Sequence, residues 1–355
     1  MEIYAVIMAG GAGTRFWPRS KEKKPKQLIR IIGSNTMIQD TVYRLKGLID
    51  EEKIFIITNK IQKLKIKEQL PQINPKNIID EPFGKNTAAC IGLAAILLES
   101  YSNDALMVVL PADHIIKDVD LFQSTIKLAV DFAYSTKKLI TIGIKPTRPE
   151  TGYGYIQFDD KQLSQNIHKV LTFAEKPNFA TARRFIESGD FLWNSGMFVW
   201  RVDVILNEIK TYMPDLYDGL QMVKNYIGTH EFEKVLTQVY GQLKNISIDY
   251  GILEKSDNVA VVKGDFYWND VGSWEAVYEI SEKNEDGNVI VGDVYTARTY
   301  GSYIFSPRKF TAVIGVENLI VIDTTDALLI CHRNNAQEVR EVVDYLKMNK
   351  RTELL

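Results

Sequence analysis

The chain has 355 residues, enough for two domains or for one large α/β domain with a small companion. Hydrophobic residues make up 45% and charged residues 25%, and 43 Lys and Arg stand against 45 Asp and Glu; a net charge of −2 argues against a general nucleic-acid binder but leaves room for local phosphate pockets. Two cysteines, Cys90 and Cys331, lie far apart in apolar surroundings, which excludes a disulfide scaffold and a cysteine zinc cluster and suits a reducing cytosol.

The opening MEIYAVIMAGG has no basic n-region and no long apolar h-region, so it reads as a buried strand and not as a signal peptide. Short apolar runs at Tyr4–Met8, Ile54–Thr58, Ala105–Leu110 and Leu139–Ile144 read as strands. Met37–Leu48, Gln62–Leu70, Thr87–Glu99 and Asp120–Tyr134 read as helices between them. That alternation predicts a mostly parallel sheet covered on both faces, with ligands beyond the carboxyl ends of the strands. The apolar stretch Ala88–Leu98 is too short to span a bilayer, so a cytoplasmic chain with no membrane partner is expected. From about residue 150 aromatics and glycines gather in GYGYIQF, FLWNSGMFVW and FYWNDVGSW, which read as strands and loops walling the first half. The polar Ser281–Asn288 is the best boundary, giving domains 1–283 and 284–355. The second domain reads as short strands closed by a helix over Asn335–Lys347.

The segment after the first strand is the most informative. Gly10, Gly11 and Gly13 allow close backbone approach, and such a loop can aim its amides at phosphate oxygens. Arg15 and Lys26 add two cations suited to a triphosphate. A dinucleotide fingerprint fails because Phe16 fills its third glycine position. A Walker loop at Gly84-Lys85 fails at Ile79 and Asn86. A tight turn with surface basic residues remains the plain alternative.

The run GGAGTRFWPRSKEKKPKQ resembles the N-terminal motif of the sugar-nucleotide pyrophosphorylases, and among them those that make GDP-mannose. EPFGKNTA, LPADH, GYGYI, FAEKP, WNSGMF, SIDYGILEK and WNDVGSW match in order, over about the first 280 residues. Departures are Arg19, where Leu is usual, and Ala89, where Pro is often found. The resemblance implies an α/β fold, with a Rossmann-like nucleotidyltransferase domain on a mixed, mostly parallel sheet and a small C-terminal left-handed β-helix. It implies that GTP and mannose 1-phosphate give GDP-mannose and pyrophosphate by Mg²⁺-dependent direct displacement. It also implies a homodimer. Longer relatives carry a further barrel that isomerises mannose 6-phosphate, and about 70 residues after Asn288 cannot hold it, so no isomerase activity is expected.

Asp113 and Asp270 are the implied metal ligands, and two carboxylates from separate loops make a hard-oxygen site. Taken alone, Asp113 could cap a following helix and Asp270 could sit in a turn before Gly272. His114 reads as packing beside the metal site, because Mg²⁺ prefers oxygen. With Arg15 and Lys26 these aspartates form the expected catalytic set. Gly10, Gly11, Gly13, Thr14, Glu81, Pro82, Asn86 and Asp113 are expected at the nucleotide, although Asn86 could simply cap the helix after it. Gly152, Tyr153, Gly154, Glu175, Lys176 and Asn194 are expected at the sugar phosphate, although Glu175–Lys176 could be an exposed loop ion pair. Trp193, Phe198, Trp200, Trp268 and Trp274 read as core. The four histidines show no triad arrangement, which disfavours nucleophilic hydrolysis.

Overall fold

The computed structural model describes residues 2–11 and 13–355; Met1 and Ala12, the latter within the glycine-rich run, lie outside the described residues. The strands are β1 (Ile3–Met8), β2 (Ile54–Asn59), β3 (Ile78–Glu81), β4 (Leu106–Pro111), β5 (Ile115–Ile116), β6 (Leu139–Ile144), β7 (Gly154–Ser164), β8 (Ile167–Glu175), β9 (Phe191–Arg201), β10 (Val259–Gly264), β11 (Trp268–Asn269), β12 (Val289–Ala297), β13 (Tyr303–Ile314), β14 (Leu319–Asp323) and β15 (Leu328–His332). The helices are α1 (Met37–Tyr43), α2 (Lys60–Gln69), α3 (Asn86–Glu99), α4 (Val119–Thr136), α5 (Phe179–Ser188), α6 (Val202–Tyr212), α7 (Pro214–Lys224), α8 (Phe232–Gln242), α9 (Trp274–Ile280) and α10 (Val339–Met348). Contacts divide the chain into two compact units that do not follow chain order. The first is Met1–Gly10, Thr41–Ala112 and Ile116–Asn269, and the second is Gly11–Asp40, Asp113–Ile115 and Asp270–Leu355.

The first unit is built on a nine-stranded sheet in the order β3-β2-β1-β4-β9-β6-β10-β8-β7. Only β8 and β9 run against the other strands, so the sheet is mixed and mostly parallel. IYAVIM, IFIITN and LMVVLP are buried almost throughout, because both faces of a parallel sheet are covered. Of the aromatic segments after residue 150, GYGYIQF and FLWNSGMFVW fall in β7 and β9 and extend this same sheet, whereas FYWNDVGSW carries the two-residue strand β11 and the start of α9. Ala88–Leu98 lies within α3, whose residues are buried on nearly all sides, as a helix apolar all round must be. No described helix is long and apolar enough to cross a membrane.

Two expectations need correction. The helix expected over Met37–Leu48 ends at Tyr43, and tight turns closed by Val42 O to Leu45 N and Leu45 O to Leu48 N take the chain on to Gly47 at φ 81°. The residues from 202 to 242 form three helices that the sequence reading left unassigned. Their signal is present: Val202, Ile205, Leu206 and Ile209 recur at helical spacing and are buried.

The second unit carries the four-stranded sheet β12-β13-β14-β15. Val289 lies beside Tyr303 and Tyr303 beside Ile320, all in parallel, so the chain returns beside itself after each coil. One hydrophobic core joins this coil to the segment after the glycine loop and to the tail: Phe16, Trp17, Trp274, Tyr303, Val343 and Leu346 share it. Trp274 Nε1 donates to Trp17 O at 3.1 Å, and Trp17 Nε1 donates to Leu354 O at 3.0 Å. The expected closing helix begins as a 3₁₀ turn at Arg333–Glu338 and continues as α10.

Candidate active site

The glycine loop ends in a 3₁₀ turn, Thr14–Phe16, started by Gly13 at φ 61°. A side chain at Gly13 would bring its Cβ within 2.6 Å of Lys26 N, so glycine is required there by contact as well as by conformation. Gln27 Nε2 donates to Gly11 O at 2.9 Å and Ser20 Oγ donates to Gly13 O. The Gly11 and Gly13 carbonyls are thereby engaged by side chains.

Lys26 is 5% exposed, and its ammonium donates to Asp113 Oδ2 at 2.9 Å and to Asp270 O. Residues 26, 113 and 270 are distant in sequence and meet within the second unit. They line a cavity of about 390 Å³ together with Gly13, Thr14 and Arg15. Asp113 does not cap a helix, because the two-residue strand β5 follows it; the capping alternative falls. Burial would raise the Asp113 carboxyl, but the Lys26 ammonium and His114 outweigh it and hold it below its ordinary value. His114 Nε2 lies 3.9 Å from Asp113 Oδ1. Directly after Asp270, the β-branched Val271 takes φ 48°. Such a conformation costs about 1–3 kcal/mol and persists where the surroundings impose it. Here the fully buried Val271 side chain sits in the core that imposes it.

Two carboxylates in one polar cavity suit a hard cation that brings its own waters and phosphate oxygens. Among the described residues there is no group of three or more His, Cys, Asp or Glu that would form an all-protein metal cage. Arg19, where the resemblance leads one to expect leucine, places its guanidinium 4.1 Å from the Phe305 ring centroid and donates to Arg30 O. It is thus a packing residue outside this cavity's lining.

In the first unit, Glu81 ends β3 at 7% exposure, and a Cβ on Gly10 would lie 3.5 Å from Glu81 Oε2. Burial raises the Glu81 carboxyl to about 7, against a lowering by the Tyr240 hydroxyl. That hydroxyl lies 3.1 Å from Glu81 Oε1 and 3.1 Å from Ala89 O. It has one proton for two acceptors. A protonated Glu81 resolves the conflict by donating to Tyr240, which then donates to Ala89. The loop after Glu81 is laced to the chain beyond α8: Lys85 Nζ donates to Leu243 O at 2.7 Å and Ile248 N donates to Thr87 Oγ1 at 2.9 Å. Asn86 is the first residue of α3 and not its cap; it takes φ 66°, and its Oδ1 accepts from the adjacent Thr87 N at 2.9 Å. Pro82 lies in the bend between Glu81 and Asn86.

A second cluster of the first unit gathers Glu175, Lys176, Asn194 and the Gly152–Gly154 turn. A Cβ on Gly154 would meet Glu175 Oε2 at 2.6 Å, so glycine lets the carboxylate lie over the strand. The Tyr153 ring packs on Trp193 and Trp268 at 5.1 and 5.3 Å, and its carbonyl accepts from Lys176 N at 3.2 Å, which ties the turn to the Glu175–Lys176 segment. Lys176 takes φ 45°, and its ammonium pairs with Glu175 Oε1 at 2.7 Å. The ion pair considered from sequence is therefore real. Asn194 is held in one orientation: Oδ1 accepts from Gly196 N at 3.1 Å and Nδ2 donates to Asp249 Oδ1 at 2.7 Å. Burial raises the Asp249 carboxyl; the Asn194 amide opposes this, and the Glu175 charge adds to it.

The sequence reading missed Asp249, although its motif SIDYGILEK was among those matched. It also missed Arg340, Asp344 and Lys347 of α10, which line the cavity around Lys26. The five aromatics read as core are all buried.

A sheet strand that runs into a glycine loop, together with a lysine gathered between two aspartates, is the arrangement of a phosphate-handling enzyme. Residues 4–287 match the nucleotidyl transferase family model, and residues 292–346 match the MannoseP isomerase/GMP-like β-helix domain model. The mannose-1-phosphate guanylyltransferase of Klebsiella pneumoniae is 41% identical over 357 residues, covering 99% of this chain and 75% of that protein. One from Escherichia coli is also 41% identical, with the same coverage. A crystal structure of mannose-1-phosphate geranyltransferase from Thermus thermophilus superposes with a TM-score of 0.89 at 31% identity, covering 98% of this chain and 100% of that one. The chain belongs to the mannose-1-phosphate guanylyltransferase family of nucleotidyl transferases.

Proposed function

We propose that the protein transfers GMP from GTP to α-D-mannose 1-phosphate, giving GDP-mannose and pyrophosphate. Lys26 carries this reading. One buried ammonium joins the Asp113 carboxylate to the Asp270 backbone in a cavity also lined by Arg15. Such a site suits polyphosphate and a hard cation better than a covalent nucleophile.

The chemical problem is repulsion between a sugar-phosphate dianion and a nucleotide tetra-anion. Two unit charges at 4 Å repel by about 1 kcal/mol in water and about 4 kcal/mol at an effective dielectric of 20. Catalysis of this class is mainly positioning and charge neutralisation. A phosphate oxygen of mannose 1-phosphate attacks the α-phosphorus of GTP. The bond from that phosphorus to the β-phosphate oxygen breaks, and its electron pair leaves with pyrophosphate. No water enters and no covalent enzyme intermediate forms.

Gly10, Gly11, Gly13 and Thr14 present backbone to the triphosphate, and Arg15 and Lys26 neutralise it. Asp113 and Asp270 would hold a Mg²⁺ ion, which supplies charge neutralisation between the phosphates when bound. Lys26 gives Asp113 a partner until the nucleotide arrives and then turns to phosphate. Glu81, Pro82 and Asn86 read the base. Glu175, Asn194 and Asp249 accept or orient sugar hydroxyls, beside the backbone of Gly152, Tyr153 and Gly154, and Lys176 holds the sugar phosphate.

We read the working form as a cytoplasmic homodimer. Phe310, Ile314, Leu328 and Ile330 are 68, 53, 55 and 59% exposed and line one shallow depression on the C-terminal sheet. A contiguous apolar patch of this kind suits a second copy of the chain. Cys90 and Cys331 are unpaired, which suits a reducing compartment.

The test is product identification by mass spectrometry, with purified protein offered a panel of nucleoside triphosphates and hexose 1-phosphates. GDP-mannose is the expected dominant product. A different dominant nucleotide sugar would overturn the assigned substrates.

A further inference from the structure

We propose that Arg340 and Lys347 of the C-terminal helix bind the β- and γ-phosphates of the nucleotide, the part that departs as pyrophosphate. The inference rests on the nucleotidyl-transfer reading and extends it to residues that no phosphate-loop motif contains.

The first observation is the way α10 is held. Val339, Val343 and Leu346 are 2, 4 and 5% exposed and enter the same core as Phe16 and Trp17. Those two aromatics follow Arg15 directly, and α10 packs against the Thr14–Phe16 turn. The neighbouring stripe of the helix is Arg340, Asp344 and Lys347, at helical spacing, and all three line the cavity around Lys26. An apolar stripe fixes the helix and a charged stripe faces the cavity.

The second observation is the charge balance. Without α10, the cations Arg15 and Lys26 are matched one for one by Asp113 and Asp270. The side chains of such a cavity carry no excess positive charge of their own, and a Mg²⁺ ion held by the two aspartates would be the only surplus. The helix contributes two cations against one anion, and so supplies the excess among the described lining residues. Arg340 is not committed elsewhere: its Nε lies 4.0 Å from Asp344 Oδ2, and the two side chains are 69 and 56% exposed. A pair of that kind is worth little and yields readily to a phosphate. A guanidinium fork then meets two phosphate oxygens at once, and the longer-range Lys347 ammonium adds a point charge.

The reverse reaction separates this role from a structural one, because pyrophosphate and GDP-mannose are then separate substrates. Arg340→Ala and Lys347→Ala are each expected to raise KM for pyrophosphate by about tenfold or more. KM for GDP-mannose and the melting temperature are expected to stay near wild type, and Arg340→Lys to recover part of the loss. An unchanged KM for pyrophosphate, or an equal rise for both substrates, would overturn the proposal. Calorimetry with inorganic tripolyphosphate keeps the test independent of the assigned reaction. If wild-type protein turns over no GDP-mannose, the functional reading fails. Weaker tripolyphosphate binding by both variants still upholds the phosphate site, and binding equal to wild type, or none by wild type, defeats it.

Discussion

A charged side chain as buried as Lys26 is tolerated only with partners, since an unpaired buried ammonium is strongly disfavoured. Asp113 and the Asp270 carbonyl are those partners, and Lys26 and the two aspartate residues are the proposed catalytic machinery. Lys26→Ala is expected to lower turnover by roughly 10²–10³-fold, the loss typical of removing one preorganised charge stabiliser. Circular dichroism should show a folded protein, and turnover near wild type would refute the role. Glu81 behaves differently. Its carboxyl is neutral in the folded protein up to about pH 7 and ionises near 4.5 in the unfolded chain. Between those values the folded state binds the extra proton, so stability falls as pH rises from about 4.5 to 7 and then levels off. Glu81→Gln keeps a hydrogen-bonding partner for Tyr240 and removes that slope, with a gain at pH 8 of at most on the order of 3 kcal/mol. Denaturant melts at pH 5.5 and pH 8 check this. Equal pH dependence in variant and wild type would show that Glu81 does not carry it.

At the scale of elements, the strands were the most legible part. Leu139–Ile144 was read with its observed ends, because a short β-rich apolar run between polar breaks has few alternatives. The carboxyl-end loops follow from that reading, which is why Asp113 could be placed beyond β4. The helices α6, α7 and α8 went unassigned although Val202, Ile205, Leu206 and Ile209 carry helical spacing, because α6 follows the aromatic strand β9 without a polar break. Arg340 and Lys347 could not be found in this way. Charges on an amphipathic helix read as a solvated face, and only the fold brings residue 340 to the turn holding residue 15. Asp249 was hidden likewise, since its partner Asn194 comes from β9. The tail is also structural. Phe16, Trp17 and Trp274 share their core with Tyr303, Val343 and Leu346, so a fragment ending at residue 283 would expose them. Such a fragment is expected to be insoluble or inactive. A soluble fragment with full turnover would show that the tail is dispensable.

At the scale of the whole molecule, one chain uses two folding patterns for different tasks. The mixed-sheet unit carries the hydrogen-bonding carboxylates Glu81, Glu175 and Asp249, to which the proposed function gives the base and the sugar. The second unit carries the charged groups, Arg15, Lys26, Asp113 and Asp270, together with the coil that the β-helix domain model matches. The resemblance visible in ordered sequence motifs and the match over residues 4–287 agree on nucleotidyl transfer. The central claim is that these charges let one anion attack another. It is tested most directly by measuring pyrophosphate released from GTP by purified protein, with mannose 1-phosphate and Mg²⁺ each omitted in turn. The account predicts release with all components present and none above background when either is missing. Release from GTP without the sugar phosphate, or undiminished release in excess chelator, would contradict it.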